Sequence, residues 1–216
     1  MLDAVPTTTD LWSATHTERA ALAQDLADLT AEQWATPSLC TRWTVEDVLA
    51  HLSAAASTGR MRWLRSMLTT RFDAGVHNQR RLREQRGPTP AATLDRFTTL
   101  ITSTTAPMGP VAAWLGEVVV HAQDIRRPLG IASTPPVSTL TAVARFYAAR
   151  DFAVNSRTAV QGLLLQASDG PFTAGQGPLV SGSTLALIMA MAGRSDFYRE
   201  LSGPGLEVLQ SRSAPL

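Results

Sequence analysis

The sequence lacks several features that mark secreted, membrane and nucleic-acid-binding proteins. Cys40 is the one cysteine among 216 residues, so no internal disulfide can form, which fits a reducing compartment. The 19 basic and 18 acidic residues leave a net charge of +1, without the basic excess that a nucleic acid or an acidic membrane surface would favour. The longest apolar run, LALIMAMAG at 185–193, is too short to span a bilayer, and MLDAVPTTTD does not resemble a signal peptide. We therefore expect a cytoplasmic protein with no nucleic-acid or membrane partner.

Hydrophobic residues make up 44% of the chain, which is enough for a real core. The length fits one sizeable domain, or one main domain and a small appendage. Apolar residues recur at helical spacing in several long stretches, at 9–29, 44–70, 89–104, 111–127 and 138–154. Thr44 can cap the second of these, and the arginine-rich stretch 71–87 is interpreted as a solvated helix or linker. Helices of this length joined by short breaks predict an antiparallel bundle.

The pattern changes after residue 155. GLLLQASDG and PFTAGQGPLVSG are typical of short strands and turns, and Ser183 can cap an apolar helix at 184–192. The sequence therefore predicts a mainly α protein, with a helical bundle over residues 1–155 and a small C-terminal α+β region over residues 156–216.

Three side chains able to bind a metal lie in GEVVVHAQDIRRPLG at 116–130. Glu117 and His121 are one helical turn apart, and Asp124 lies a further turn along on the same side, at the edge of the apolar stripe. His51 lies at the edge of the apolar face of an earlier helix. Two imidazoles and one carboxylate are a common three-ligand set for a divalent metal, and this set leaves positions open for water or substrate.

Other interpretations of these residues stay open at this point. Asp124 could be a fourth ligand or a hydrogen-bond acceptor that orients His121. A Glu-x-x-x-His pair is also typical of a surface interaction, and a single histidine beside an apolar face is often a core residue. His16 and His77 are interpreted as ordinary surface or helix residues.

The segment TPSLCTRWTVEDVLAHL at 36–52 and GEVVVHAQDIRRPLG resemble the two signatures of the mycothiol-dependent maleylpyruvate isomerase family. The C-terminal third, from GLLLQASDG to LSGPGLEVL, is similar to that of its actinobacterial members, while Arg42 stands where the family usually has glycine. The resemblance implies a DinB-like four-helix bundle whose metal, usually zinc, is held by His51, Glu117 and His121. It also makes Arg194 the candidate match for a functional arginine of the family's C-terminal domain.

The function implied by the resemblance is that of a metal-dependent enzyme. It would activate the low-molecular-weight thiol mycothiol for S-transfer to, or isomerisation of, a small electrophilic substrate. Asp124 would orient His121 or accept a proton, and Arg194 would neutralise a substrate carboxylate. Arg126 or Arg127 could do the same, but positive charge favoured at a helix C-terminus is the preferred interpretation of that pair.

Cys40 is interpreted as a small packed residue before the helix. Two alternatives to the thiol-dependent enzyme remain: a metal-dependent hydrolase or lyase on the same site, and a non-catalytic bundle that binds a small ligand. A bundle of this size is compatible with a homodimer, although no sequence feature demands one.

Overall fold

The computed structural model of the chain describes residues 6–40, 43–71 and 73–212, so Arg42 lies outside the described residues. The helices are α1 (Thr8–Asp25), α2 (Ala31–Trp34), α3 (Val45–Ser57), α4 (Arg60–Thr69), α5 (Ala74–Gln85), α6 (Pro90–Thr98), α7 (Val111–Leu129), α8 (Val137–Ala149), α9 (Ser156–Ala159), α10 (Thr184–Met191) and α11 (Leu206–Arg212), with a 3₁₀ helix at Ser195–Glu200. The strands are β1 (Leu164–Ala167), β2 (Thr173–Gly175) and β3 (Leu179–Gly182). Within the described ranges, no helix is both long enough and apolar enough to cross a membrane.

The first of two compact units, Thr7–Ser133, is a helical bundle. Helix α1 packs against α7, and α3 packs against α6, α7 and α5. The core of this unit is apolar and is formed by α1 with the residue after it, α2, α3, α6 and α7. It contains Leu22, Leu26, Trp34, Val45, Val48, Leu49, Leu52, Phe97, Val118, Ala122 and Ile125. The predicted bundle is therefore confirmed, and its packing fixes the positions of α3 and α7.

The start of α3 follows the sequence prediction closely. The Thr44 hydroxyl accepts a hydrogen bond from the Asp47 amide, and the Asp47 carboxylate accepts one from the Thr44 amide. This reciprocal capping box satisfies two amides that the first turn leaves without a helical partner.

The end of that helix differs from the prediction of one helix over 44–70. Thr58 is extended and Gly59 caps a new helix, so α3 and α4 are separate. The Ser103 hydroxyl donates to the Ala56 carbonyl at 2.8 Å, which supplies a partner from another part of the chain for the end of α3.

The arginine-rich stretch forms a helix that is only partly solvated. His77, Arg81 and Leu82 lie on one side of α5 and are buried, and α5 packs against α3. His77 is 5% exposed and its Nδ1 lies 2.8 Å from the Ser66 hydroxyl. It is therefore a helix residue, one of the two alternatives that the sequence left open, and not a surface residue. The helical spacing was visible in the sequence, but the partner of this face was not.

The second compact unit contains Pro6 and the chain from Thr134 onward. Its three-stranded sheet has the order β2-β1-β3, with β1 antiparallel to β2 and parallel to β3. The apolar helix α10 is buried along its whole length and packs against α8 and the sheet, and Ser183 caps it as predicted. Helix α8 packs on α10 within this unit, and the two units meet along the chain between Ser133 and Thr134. The division into domains 1–155 and 156–216 stays a prediction.

Candidate metal centre

The structure brings His51 of α3 together with Glu117 and His121 of α7. The Glu117 Oε1 lies 2.7 Å from Nε2 of His51 and 3.5 Å from Nε2 of His121. One donor atom from each of the three residues lies within 4.8 Å of the others. Since α3 and α7 pack against each other, one carboxylate between two imidazoles forms a compact set of nitrogen and oxygen donors.

Asp124 lies behind His121 and is fully buried. Its Oδ2 is 2.9 Å from Nδ1 of His121, one turn away on the same helix. Its backbone carbonyl also accepts a hydrogen bond from the Leu39 amide, which fixes the loop before α3 against α7. An acceptor at Nδ1 favours the tautomer in which Nε2 of His121 carries the lone pair, and a ligand histidine requires this state.

The electrostatics of the site couple Glu117 to His121. Burial alone would raise the pKa of Glu117, but the charge of His121 and the hydrogen bonds from both histidines hold that pKa well below its usual range. Burial would lower the pKa of His121, but the Glu117 charge and the hydrogen bond to Asp124 raise it to about 9. Without a metal, the site therefore holds a carboxylate and an imidazolium near neutral pH.

Two neighbours of the site, Trp43 and Cys40, were not among the residues that the sequence predicted to form it. The Trp43 ring lies 4.7 Å from the His51 ring and 6.3 Å from the His121 ring, measured between centroids. Cys40, interpreted as a packing residue, also places its sulfur within 4.8 Å of donor atoms of His121 and Asp124. Both residues belong to the loop before α3. Their position in the segment TPSLCTRWTVEDVLAHL, and not their residue type, could have indicated that they lie beside the site.

The predicted arginines lie in different surroundings. Arg126 is fully buried, and its Nε donates to the Asp25 carboxylate of α1 at 2.7 Å, so it stabilises the packing of α1 on α7. This differs from the expected role of a charge at the helix C-terminus. Arg127 is half-buried on the last turn of α7. Arg194 belongs to the second unit, where its guanidinium donates to the Ala192 carbonyl at 2.7 Å after the end of α10.

The sequence matches the model of a protein family described as the mycothiol maleylpyruvate isomerase N-terminal domain over residues 15–126, more than half of the chain. The chain belongs to this family. The matched range includes His51, Glu117, His121 and Asp124, and it ends before Arg194. No curated protein matches the sequence.

Solved structures of the family's isomerase have the same fold as this chain. One is a crystal structure of the mycothiol-dependent maleylpyruvate isomerase, with a TM-score of 0.64, 16% sequence identity and 97% coverage of both chains. A second, of a variant of that isomerase with a histidine replaced by alanine, gives a TM-score of 0.63 at 14% identity and the same coverage. The predicted fold class, a mainly α four-helix bundle with a small C-terminal α/β segment, is thus confirmed, and the likeness extends beyond the matched N-terminal range.

Proposed function

We propose that the chain is a metal-dependent enzyme that activates mycothiol for isomerisation of, or S-transfer to, a small electrophilic substrate. The observation that carries this proposal is the convergence of His51, Glu117 and His121 from two helices of the bundle. Membership of the isomerase family supports the thiol, since that family's named member depends on mycothiol. The donor set of two imidazoles and a carboxylate fits a divalent ion such as Zn²⁺.

Each residue of the site has its own role in holding the metal. His51, Glu117 and His121 would hold the ion, and Asp124 would keep the Nε2 lone pair of His121 available through its contact with Nδ1. A zinc ion bound there would supply a Lewis acid that lowers the pKa of the thiol and makes thiolate available near neutral pH. The ring of Trp43 lies against the His51 ring, with 4.7 Å between the centroids.

The thiolate would attack an electrophilic carbon of the substrate. A carbon–sulfur bond forms, and an electron pair moves onto the substrate. If the bond breaks again after a rotation within the substrate, the pair returns and the thiolate leaves, and the outcome is isomerisation. If the bond persists and the substrate takes up a proton, the outcome is S-transfer.

Elemental analysis after purification without chelator tests the metal. We expect about one equivalent of zinc or another divalent ion in the wild type, and none in Glu117→Ala, because the variant lacks the carboxylate between the two histidines. Glu207→Ala, which removes an exposed carboxylate of α11, is the control and should keep its metal. Equal metal content in the wild type and Glu117→Ala would refute the site.

Turnover with and without thiol tests the reaction. With maleylpyruvate as the first electrophile, we expect product only when mycothiol is present, and loss of activity after chelation with recovery on adding Zn²⁺. Turnover that needs the metal but not the thiol would favour a hydrolase or lyase instead. Metal content without turnover under either condition would favour a bundle that only binds a ligand.

A further inference from the structure

The net charge of the chain is only +1, but arginine residues are concentrated in one segment, residues 60–86. The sequence contains no lysine, so all 19 basic residues are arginines. Eight of them lie between residues 60 and 86, the segment of α4 and α5, together with only two of the 18 acidic residues. This segment carries an excess of six positive charges, and the rest of the chain is acidic overall.

A pocket of about 1000 Å³ lies between this segment and the loop before α3. Cys40 and Trp43 line it on the loop side, and these are the residues that lie against the histidines of the candidate metal centre. On the other side α5 contributes Gln79, Arg80 and Arg83, which lie on the side of the helix away from the buried His77 and Leu82. One pocket is therefore lined both by neighbours of the metal ligands and by guanidinium groups.

The acidic residues of this pocket are already engaged. Glu84 lies 3.0 Å from Arg62, 3.7 Å from Arg80 and 2.7 Å from Arg81, so three guanidinium groups share one carboxylate. Burial lowers the pKa of Arg81, and the neighbouring guanidinium groups lower it further against the pull of Glu84. Asp73 accepts a hydrogen bond from the Val76 amide at 2.9 Å and so caps α5.

Donor groups of the same pocket remain without such partners. Among the residues that the structure describes, the side chains of Asn78, Gln79 and Arg83 make no hydrogen bond or ion pair. Arg83 presents a planar set of N–H donors that matches a carboxylate, and the two amides add further donors beside it. Among the described residues, the pocket therefore has a guanidinium group without an ion pair, and free amide donors, beside Cys40 and Trp43 of the candidate metal centre.

From this arrangement we propose that the pocket binds an anionic group of the electrophilic substrate, with Arg83 as the residue that selects substrates bearing a carboxylate. The inference rests on the proposed function for the identity of the ligand as substrate, and it assigns the recognition of charge to α5. Arg126 cannot take this role, because it is buried and already paired with Asp25. A bidentate contact between Arg83 and a carboxylate would orient the substrate with its reactive carbon towards the metal ligands.

The test is the binding of maleate, measured by calorimetry in the absence of thiol. We expect saturable binding to the wild type and to Glu117→Gln, since the pocket does not depend on the metal carboxylate. Arg83→Gln should weaken binding by about tenfold or more, because a charge-assisted bidentate contact is lost, and Arg83→Lys should give an intermediate loss. Dimethyl maleate, which carries no charge, should bind no variant measurably.

Arg65→Gln is the matched control, since it removes the same charge from the same basic segment at an exposed residue of α4 outside the pocket lining. We expect its affinity for maleate to stay within about twofold of the wild type. Equal weakening by Arg65→Gln and Arg83→Gln would show general charge attraction and overturn the proposal. Absence of saturable binding to the wild type, or unchanged binding to Arg83→Gln, would also overturn it.

These outcomes separate the pocket from the reaction. If maleate binds as expected but no thiol-dependent turnover is found, the pocket stands and the proposed function fails. If turnover is found and Arg83→Gln leaves both maleate affinity and the KM of a carboxylate substrate unchanged, the pocket assignment fails alone. In an active enzyme, Arg83→Gln should raise KM for such a substrate more than it lowers kcat.

Discussion

The ionisation of His121 makes the stability of the metal-free protein depend on pH. Its pKa is raised from 6.5 to about 9 in the folded protein, so the folded state holds this proton more tightly than the unfolded state. The resulting stabilisation is fully present below pH 6.5 and is lost as the pH rises through about 9, by an amount on the order of 3 kcal/mol at most. Urea denaturation of the protein with chelator should therefore show a falling free energy of unfolding between pH 7 and pH 9.5.

The comparison for this measurement is His121→Gln, which keeps a polar side chain but cannot hold the proton. Its free energy of unfolding should change much less over the same pH range. If the wild type and His121→Gln lose stability in parallel, the ionisation of His121 is not coupled to folding and the ion pair with Glu117 does not exist in solution.

The buried ion pair between Arg126 and Asp25 contributes to the stability of the bundle core. Removing its partner by Asp25→Ala leaves a buried guanidinium without its ion pair, and we expect a loss of about 3 kcal/mol in the free energy of unfolding. The double variant Asp25→Ala with Arg126→Met should recover much of this loss, because it also removes the buried charge. Asp28→Ala, at an exposed neighbouring position, should change stability by less than about 0.5 kcal/mol.

That recovery is the decisive measurement for Arg126. If the double variant is as unstable as Asp25→Ala alone, the loss comes from the packing of Asp25 and not from the unpaired charge. Thermal and urea unfolding of the four proteins under the same conditions separate these cases.

At the scale of the element, helix α7 ends at Gly130, whose backbone adopts a left-handed conformation. Gly130 has a φ of 68°, in the left-handed region, and its amide bonds to the end of α7. Nothing lies within 4 Å of a Cβ placed there, so Gly130→Ala tests backbone strain alone and should cost about 1 kcal/mol in the free energy of unfolding. Gly130→Asn should cost less, since asparagine adopts this conformation more readily.

Gly59 provides the control for that helix end. It has a φ of −75° and caps α4, and a Cβ there would meet only the methyl group of Thr105 at 4.0 Å. Gly59→Ala should therefore stay within about 0.5 kcal/mol of the wild type. A cost at Gly59 equal to that at Gly130 would mean that the left-handed conformation does not cause the loss.

Local features of the helices could be predicted from the sequence, whereas contacts between helices could not. Glu117, His121 and Asp124 were predicted to share one side of a helix because helical spacing depends on the chain alone. The capping box at Thr44 was equally local. In contrast, the break at Gly59 and the buried face of α5 depend on what packs against them, and the contact of His51 with Glu117 joins residues on different helices. The resemblance to a family, and not spacing, made that contact an expectation.

At the scale of the whole molecule, a metal at the candidate centre should stabilise only the state that holds its ligands together. His51, Glu117 and His121 all lie in the unit Thr7–Ser133, and they are far apart in an unfolded chain. With free zinc at about 1,000 times its Kd, the stabilisation is about 4 kcal/mol, which corresponds to a rise of roughly 8–16 °C in Tm for a chain of this size. Each imidazole must be neutral to bind, so the rise should be larger at pH 8.5 than at pH 6.5.

Differential scanning calorimetry with and without zinc measures this effect and shows which part of the chain responds. If the two units unfold in separate transitions, only the transition of the helical bundle should move; if they unfold together, the single transition should move. Glu117→Gln should remove the shift in either case, and its zinc-free Tm should be lower than that of the wild type because the ion pair with His121 is lost. A zinc-induced shift of the same size in Glu117→Gln would place the bound metal elsewhere, and the role of the three ligands would have to be abandoned.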